Sequence, residues 1–551
     1  MLRKRPRERL CSAAASFVVY LLLTVAMTWP WASAPHRLAA ANGDLFGHVW
    51  GIAWVATRGF SNPIGLYDAN MYFPETLSLA YTESLIPQSL QAWPVFALGG
   101  GPLLAHNLVL LLTFPLSGLG AFLLARELTA SRLGAFFAGL AYAFTAFRFE
   151  HIIHVGVISA QWLPIALLLL VRSVRRPTLG RLALLGGACW LQALSSGYHA
   201  VILGVAIVVT AAVLGRRALR RRSAVPIALA FLVSAVAVGL AAWPYRELRE
   251  RHDLGRGRDA YLHWSARPLS FLDTGRYPAL PHQFWLRDTA LERMPLFPGT
   301  AAVALALWGA LGRRRLLPLA LAATGFLLSF GPELRVLDSA VPMPFDLLRL
   351  VPPVDMMRDP SRFAFLFQLG LGVLAAGGIA RLARSRGGVA VAALAIVLQG
   401  AEAWPRGLDQ TIVAVAPPPP AARLLARSEP GAVLELPWDH KHKSSGRYLY
   451  WSTAHWLPMI NGHGTFQPPA AFGLGVIAET FPSEPAAQTI RGRGVRYVVL
   501  HSAELRKERM ARVLGRSLPE GVHLVARFDD DYVYEIEPNG PRRLQPRFGA
   551  R

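Results

Sequence analysis

The chain has 551 residues, of which 53% are hydrophobic and only 17% charged, a composition that excludes an ordinary soluble globular protein. Its formal net charge of +23 would by itself suit a nucleic-acid-binding protein. The basic residues, however, cluster in short segments between apolar stretches, as they do in membrane proteins whose positive loops face the cytoplasm. We therefore expect a membrane protein that has no nucleic-acid partner.

Eleven apolar stretches approach the roughly 17–25 residues that a membrane-spanning helix needs. The predicted spans are 12–34, 103–125, 133–147, 155–171, 182–197, 199–215, 224–243, 297–312, 316–330, 363–380 and 388–404. If they alternate in direction, basic clusters such as residues 3–9 and 216–222 share one side, with Glu8 and Glu127 as their only acids. The positive-inside rule then predicts a cytoplasmic N-terminus and an extracytoplasmic C-terminal region.

The polar part of the chain lies in long outer loops and after the last span. We predict a transmembrane domain at 1–410 with outer loops at 35–102, 244–296 and 331–362. A proline-rich, stiff linker at 411–420 precedes an extracytoplasmic domain at 421–540. Strands are expected at 433–436, 496–500, 523–528 and 532–536, and helices at 486–493 and 503–514. The predicted fold class is a polytopic α-helical membrane protein with a small C-terminal α/β domain.

The first outer loop contains two acids of interest, Asp44 and Glu83. Glycosyl transfer to a hydroxyl group needs a base for the acceptor proton, and Asp44 stands just beyond the first span. Alternatively, Asp44 is the N-cap of a helix that begins at Leu45. Trp50 and Trp54 would share one face of that helix, which we expect to lie along the membrane surface. Glu83 is either a second catalytic carboxylate or a solvated loop acid.

Two histidines at the outer end of the third span are candidates for binding substrate or its phosphate. His151 and His154 are three residues apart and share a helix face, where they could bind phosphate or relay a proton. His48 and Gln161 are assigned to the same group of candidates. Alternatively, His151 and His154 are interfacial residues whose rings form hydrogen bonds with the backbone. Two histidines do not make a metal site, which takes three or more ligands, so no metal is assigned.

Arginines in the third outer loop are the other candidates for binding phosphate. Arg358 and Arg362 could clamp a phosphate or pyrophosphate through paired hydrogen bonds. Alternatively, Arg358 forms a loop ion pair with Asp359, and Arg362 reaches toward the membrane surface. After the last span, aromatic and polar residues would suit a carbohydrate-binding surface, and a metal site is a further alternative there. The histidines concerned are His440, His442 and His463.

Several stretches resemble the GT-C class of membrane glycosyltransferases, and more narrowly the large bacterial families related to them. They are Gly43-Asp44 with Trp50 and Trp54, Tyr72-Phe73-Pro74 with Leu79-Ala80-Tyr81-Thr82-Glu83-Ser84, His154 through Gln161-Trp162-Leu163-Pro164, Arg358-Asp359-Pro360-Ser361-Arg362, and His455-Trp456-Leu457-Pro458-Met459-Ile460-Asn461-Gly462. The resemblance covers most of the chain and implies a GT-C-like fold in the bacterial inner membrane.

The resemblance implies an enzyme that transfers a sugar from a polyprenyl-phosphate-linked donor. Its acceptor would be a glycan, a lipid or a protein at the outer face, and membrane lipids would surround it. Asp44 corresponds to the first-loop catalytic acid of the class. Leu45 stands where many members have a second acid, and Ser84 stands where a histidine would follow Glu83. Both departures weigh against a metal requirement, so no cofactor is expected and a divalent cation is the alternative.

Two other functions are consistent with a polytopic membrane protein. A lipid or glycan flippase would place charged residues inside its spans near the membrane midplane. Here the spans hold almost no acids or bases, and the polar residues gather at their outer ends, which favours surface chemistry. A non-catalytic envelope scaffold would instead use the C-terminal domain to bind a partner, with Asp44 buried as a helix cap.

Overall fold

A computed structural model describes most of the chain. The described residues are 6–40, 43–252, 257–277, 279–280, 294–312, 314–336, 339–351, 354, 357–438, 445–464, 466–505, 513 and 515–538. They fall into two compact units. Unit 1 consists of Met1–Pro35, Asn107–Trp243 and Asp253–Ile412, and unit 2 of His36–His106, Pro244–His252 and Val413–Arg551.

Helices account for most of the regular structure. In chain order they are α1 (Pro6–Met27), α2 (Gly43–Arg58), α3 (Ile86–Ala97), α4 (Pro102–Thr129), α5 (Arg132–Ala143), α6 (Ala146–Glu150), α7 (Val155–Ile158), α8 (Trp162–Arg175), α9 (Leu179–Ser195), α10 (Gly197–Arg220), α11 (Ala224–His252), α12 (Arg258–His263), α13 (Thr300–Ala310), α14 (Leu316–Ser329), α15 (Phe345–Leu348), α16 (Ala364–Leu382), α17 (Arg386–Glu402), α18 (Pro420–Leu425), α19 (Ser445–Ser452), α20 (Pro469–Ala478) and α21 (Glu484–Gly492). The strands are β1 (Leu38–Ala40), β2 (Glu333–Val336), β3 (Ser339–Pro342), β4 (Ile412–Ala414), β5 (Ala432–Leu436), β6 (Val495–His501), β7 (Val522–Phe528) and β8 (Asp531–Ile536).

The predicted spans coincide with helices, and the multi-pass helical architecture is confirmed. Within the described residues, six helical segments are long and apolar enough to cross a membrane: Leu10–Met27, Pro102–Thr129, Val155–Arg175, Gly197–Arg220, Ala224–His252 and Pro360–Leu382. Other apolar helices, including α13 and α14, are shorter than the length a straight span needs. The count of eleven spans and the direction of the termini therefore stay predictions.

The core of unit 1 is built around α16, which packs against α5, α13 and α14. Buried side chains at this junction include Phe137, Ala302 and Ile379. Gly309 of α13 lies directly against the backbone carbonyl of Leu374 in α16, where a Cβ atom would overlap the oxygen. Small residues at helix interfaces allow the backbones to approach closely, which is how helices associate where lipid replaces water.

Unit 2 contains a four-stranded sheet with the strand order β5-β6-β8-β7. Strand β5 runs parallel to β6, and the other pairs are antiparallel. The four predicted strands fall on these strands, and the helix predicted at 486–493 falls on α21. The helix predicted at 503–514 lies mostly outside the described residues. Apolar residues of the C-terminal part of the chain, such as Val433, Leu457 and Val533, form the hydrophobic core at this sheet.

Most of the segment predicted as the first outer loop belongs to unit 2, where α2 packs against α3 and α19. Trp50 and Trp54 share a face as predicted, and that face is buried within unit 2. The position of this helix along the membrane surface stays a prediction. The indole of Trp50 donates a hydrogen bond to Asn70 Oδ1 at 2.9 Å, and Trp54 contacts Trp456 at a ring distance of 5.6 Å. The C-terminal part of the chain therefore covers the tryptophan face.

Candidate functional site

Asp44 lies in the first turn of α2, which begins one residue earlier at Gly43. It is therefore not the N-cap of a helix beginning at Leu45, although a carboxylate in a first turn is favoured by the helix dipole. Its Oδ1 atom accepts a hydrogen bond from His463 Nε2 at 3.0 Å. The side chain of Asp44 is 48% exposed, whereas that of His463 is 12% exposed. The pair thus consists of a half-exposed carboxylate and a mostly buried imidazole.

The chain around His463 is fixed at a short distance from α2. Asn461, two residues earlier, exchanges hydrogen bonds with the backbone of Glu435 in β5, at 2.7 and 2.9 Å. The imidazole of His463 lies over Gly47, where a Cβ atom would stand 2.5 Å from its Cδ2. Because Gly47 is three residues after Asp44, this glycine leaves the space through which His463 reaches the carboxylate.

The other two candidates in the first loop lie in different surroundings. His48 follows Asp44 by one turn of α2 and is half-buried. Glu83 is also half-buried and lies near Tyr245, whose hydroxyl donates a hydrogen bond to the carbonyl of Thr82 at 3.0 Å. The structure thus brings Asp44 together with His463, and it places Glu83 beside Tyr245.

In unit 1, the two candidate arginines have different partners. Arg362 Nε donates to Asp359 Oδ2 at 3.0 Å, and both side chains are largely buried. The Arg362 guanidinium also lies 3.7 Å from the centre of the Tyr198 ring. Arg358 is exposed and lies over Trp264 at 5.3 Å, and no carboxylate in the described part of the chain forms an ion pair with it. Asp359 therefore pairs with Arg362, whereas Arg358 is exposed and forms no ion pair with a described carboxylate.

The histidines of the 151–154 turn are close to the same arginine segment. His151 Nδ1 must donate to the carbonyl of Phe147, 3.0 Å away, so the neutral ring keeps Nε2 as an acceptor. Burial lowers the pKa of His151 to about 4, with contributions from His154 and Arg362 that Asp359 partly offsets. At neutral pH this imidazole is uncharged, and its Nε2 suits a hydroxyl donor better than a phosphate oxygen.

Two further polar residues in unit 1 are fully buried. Gln161 precedes α8, and its side-chain amide has no hydrogen-bond partner among the described residues. Arg148 donates to the carbonyls of Tyr142 and Ile158, at 3.1 and 2.7 Å, and to the hydroxyl of Ser117 at 3.1 Å. Arg148 therefore ties the ends of several helices together and is unavailable to a ligand.

No group of three or more His, Cys, Asp or Glu side chains in the described ranges is placed to hold a metal ion. His440 and His442 lie outside the described residues. The sequence interpretation considered His463 only as a metal-ligand alternative and missed its contact with Asp44. The local signal that could have identified it is its position between Gly462 and Gly464, which allows the backbone to pack tightly on both sides.

Comparisons with known proteins agree with a glycosyltransferase fold. A family model described as "Domain of unknown function (DUF6311)" matches residues 10–404. The arabinofuranosyltransferase AftD from Mycobacteria has a similar structure, with a TM-score of 0.60, 15% sequence identity and coverage of 96% of this chain. The oligosaccharyltransferase AglB from Archaeoglobus fulgidus gives a TM-score of 0.51 at 15% identity, with coverage of 89% of this chain and 69% of AglB.

The chain spans 41% of the length of AftD, so the resemblance concerns only part of that larger protein. No curated protein sequence matches the chain. The expected resemblance to the GT-C class of membrane glycosyltransferases is confirmed at the level of the fold.

Proposed function

The chain belongs to the DUF6311 family, and we propose that it is a GT-C-type glycosyltransferase of the bacterial inner membrane. It would move a sugar from a polyprenyl-phosphate-linked donor to a hydroxyl of a glycan, lipid or protein at the outer face. The observation that carries this proposal is Asp44, a half-exposed carboxylate in the predicted first outer loop. It lies in the first turn of a helix and is bonded by a mostly buried histidine. The AglB structure, which contains a dolichol-phosphate, supports a lipid-linked donor.

Asp44 has the chemistry of a general base. The acceptor oxygen forms a bond with the anomeric carbon of the sugar while the bond from that carbon to the phosphate oxygen breaks. The acceptor proton passes to the carboxylate of Asp44, and the phosphate leaves with the bonding electrons. A positioned carboxylate that is ionised at neutral pH contributes to such a step roughly 10²–10⁴-fold.

The leaving phosphate needs positive charge, and Arg358 is the best candidate within unit 1. Its guanidinium is exposed, lies over Trp264 and is not neutralised by a described carboxylate. Arg362 instead contributes through its ion pair with Asp359, which orders the same segment. His151 would accept a hydrogen bond from a substrate hydroxyl through Nε2. Glu83, His48, His154 and Gln161 are retained as candidates for binding substrate.

The scaffold alternative requires a buried Asp44 and is disfavoured by the exposure of this carboxylate. The test of the enzyme proposal is Asp44→Asn in a strain that lacks the chromosomal gene, with the full-length chain expressed at the wild-type level. Asparagine keeps an oxygen for His463 but cannot accept the acceptor proton. We expect the envelope glycan profile, measured by mass spectrometry, to match the deletion strain.

His523→Ala is the matched control, because His523 also pairs with a carboxylate in unit 2, that of Glu537 at 3.2 Å on an exposed surface. The control strain should keep the wild-type glycan profile. A normal profile in the Asp44→Asn strain would remove Asp44 as the base.

A further inference from the structure

We infer that His463 is the positioning residue of Asp44, so that the chain beyond residue 413 supplies part of the catalytic unit. This inference rests on the proposed function, and it adds a residue that lies outside the family match, which ends at 404. His463 and Asp44 are 419 residues apart in sequence and 3.0 Å apart in the structure. Both belong to unit 2, which joins the first outer loop to the C-terminal segment.

Close contacts at three residues hold the loop that carries His463. Its ring lies against Gly47 in α2, where no side chain could be accommodated without displacing it. The flanking Gly462 packs directly on the ring of Tyr72, and Gly464 packs on the backbone carbonyl of Tyr81. Larger residues at these positions would move the loop. The loop therefore fixes the direction from which Nε2 approaches the carboxylate.

The contact has a defined chemical consequence. The imidazole donates its Nε2 hydrogen to Asp44 Oδ1 and restricts rotation of the carboxylate about its side-chain bond. Hydrogen bonding to the charged form of an acid favours that form, and the positive end of the α2 dipole acts in the same direction. His463 thereby favours the charged form of Asp44 and aligns it as a base.

The alternative is that His463 only fills space between α2 and the C-terminal segment. A purely structural role would change thermal stability when the histidine is replaced, but it would not change the protonation of Asp44. The two roles are therefore separated by measuring the pH at which Asp44 becomes protonated. That measurement does not depend on knowing the sugar or the acceptor.

The experiment uses the full-length chain in lipid nanodiscs and amidation of carboxyl groups by a carbodiimide with glycine ethyl ester. The extent of modification of the Asp44 peptide is followed by mass spectrometry across an acidic to neutral pH series. We expect His463→Ala to move the midpoint of Asp44 modification to higher pH by about one unit, since the donated hydrogen bond is lost. His463→Gln can donate from its amide at a similar reach and should restore the wild-type midpoint.

His523→Ala is again the control and should leave the midpoint unchanged, since it removes a histidine–carboxylate pair elsewhere in unit 2. If His463→Ala lowers thermal stability but leaves the Asp44 midpoint at the wild-type pH, the role of His463 is structural and the inference is overturned. In the complemented strain, His463→Ala should lower glycan transfer by about 10- to 100-fold, the equivalent of one hydrogen bond to a charged group.

The failure of the proposed function has a different signature. A strain with Asp44→Asn that keeps its normal glycan profile would reject Asp44 as the base, whatever the labelling shows. A shifted labelling midpoint together with that result would mean that the pair exists but serves another role. An unshifted midpoint together with a lost profile in Asp44→Asn would keep Asp44 as the base and reject only His463.

Discussion

Two of the histidine–carboxylate contacts described in unit 2 differ sharply in exposure. In the first, His501 Nε2 bonds Glu435 at 2.6 Å and its Nδ1 bonds Asp531 at 2.8 Å, with all three side chains nearly or fully buried. In the second, Asp44 is half-exposed on His463. We call them the sealed site and the open site. The same pair of functional groups is therefore buried at the sealed site and partly exposed at the open site.

The location of the sealed site explains its role. Its residues come from β5, β6 and β8, which are neighbours in the sheet, so their side chains cross-link three strands. The ring of Tyr448 stacks on His501 at 5.1 Å and helps to exclude water. Buried charges are stable only when paired, and here both nitrogens of His501 are used. At the open site the Asp44 side chain is 48% exposed, which leaves part of its carboxylate accessible.

The comparison is tested most strongly by removing each histidine in turn. His501→Ala leaves Glu435 and Asp531 buried without their cation, and we expect a loss of about 3–5 kcal/mol in the free energy of unfolding. His463→Ala removes a partner from a half-exposed carboxylate and should cost at most about 1 kcal/mol. Thermal unfolding of the purified full-length variants measures both. Equal losses would mean that the open site is also a structural site.

The sealed site also predicts how stability depends on pH. Burial opposes the charged form of His501, but Glu435 and Asp531 outweigh it and raise the pKa of His501 to about 9. A raised histidine pKa stabilises the fold fully below its unfolded value of about 6.5, and the contribution is lost as the pH rises through the folded value. We expect the melting temperature to fall between neutral pH and about 9 in the wild type.

The control for this pH dependence is His501→Ala. In this variant the part of the fall in melting temperature that His501 causes should be absent. His463→Ala should keep it, because the sealed site is intact in that variant. If the wild type and His501→Ala have parallel melting curves across this pH range, His501 is not charged in the folded state.

The two candidate arginines of unit 1 show the same contrast between a buried and an exposed charge. Arg362 is sealed against Asp359, which is 2% exposed, whereas Arg358 is exposed over Trp264. Arg362→Met leaves a buried carboxylate unpaired and should cost about 3–5 kcal/mol in stability. Arg358→Met should leave stability nearly unchanged and lower donor affinity about 10-fold, the effect expected for one hydrogen bond to a charged group.

The two arginine variants are compared by thermal unfolding and by dose response to the lipid donor in membranes from the complemented strain. Arg358→Lys keeps the charge but not the paired hydrogen bonds, so it should recover only part of the affinity. If Arg358→Met unfolds as readily as Arg362→Met, Arg358 is also a structural residue and the phosphate must be bound elsewhere.

Local patterns in the sequence were sufficient for most elements, and they singled out candidate site residues whose roles stay predictions. Apolar runs located the helices, alternating residues located β5 to β8, and the position of Asp44 after the first span identified it as a candidate base. The partner of Asp359 was mistaken, because the residue three positions later, Arg362, pairs with it while the adjacent Arg358 does not. Sequence adjacency does not place two side chains on the same side of the chain.

Long-range packing explains the remaining differences. The shared face of Trp50 and Trp54 followed from their spacing, but what covers it is Trp456, some four hundred residues later in the chain. The contact between Asp44 and His463 likewise depends on how the C-terminal segment folds back onto α2. No periodicity links such residues, because local patterns report the nearest turn of a helix or strand and not the packing of distant segments.

The smallest expected effect concerns two glycines of α2 that differ only in their surroundings. A Cβ atom at Gly47 would stand 2.5 Å from the ring of His463, whereas one at Gly51 would stand 3.8 Å from Leu85, an ordinary contact. The side chain of His463 can rotate away, so Gly47→Ala should displace the imidazole and leave the helix intact. The free-energy cost of any clash is then partly offset, because alanine stabilises a helix by roughly 0.5–1 kcal/mol relative to glycine.

The free energy of unfolding of Gly47→Ala should therefore lie within about 1 kcal/mol of the wild-type value. The variant should still move the midpoint of Asp44 modification to higher pH, as His463→Ala does. Gly51→Ala gains the same helix propensity without touching the open site, and its midpoint should equal that of the wild type. If Gly47→Ala keeps the wild-type midpoint, His463 reaches Asp44 by a route that does not need the space at Gly47. The contrast between the two alanine variants thus isolates the position of one imidazole ring from the stability of the helix that faces it.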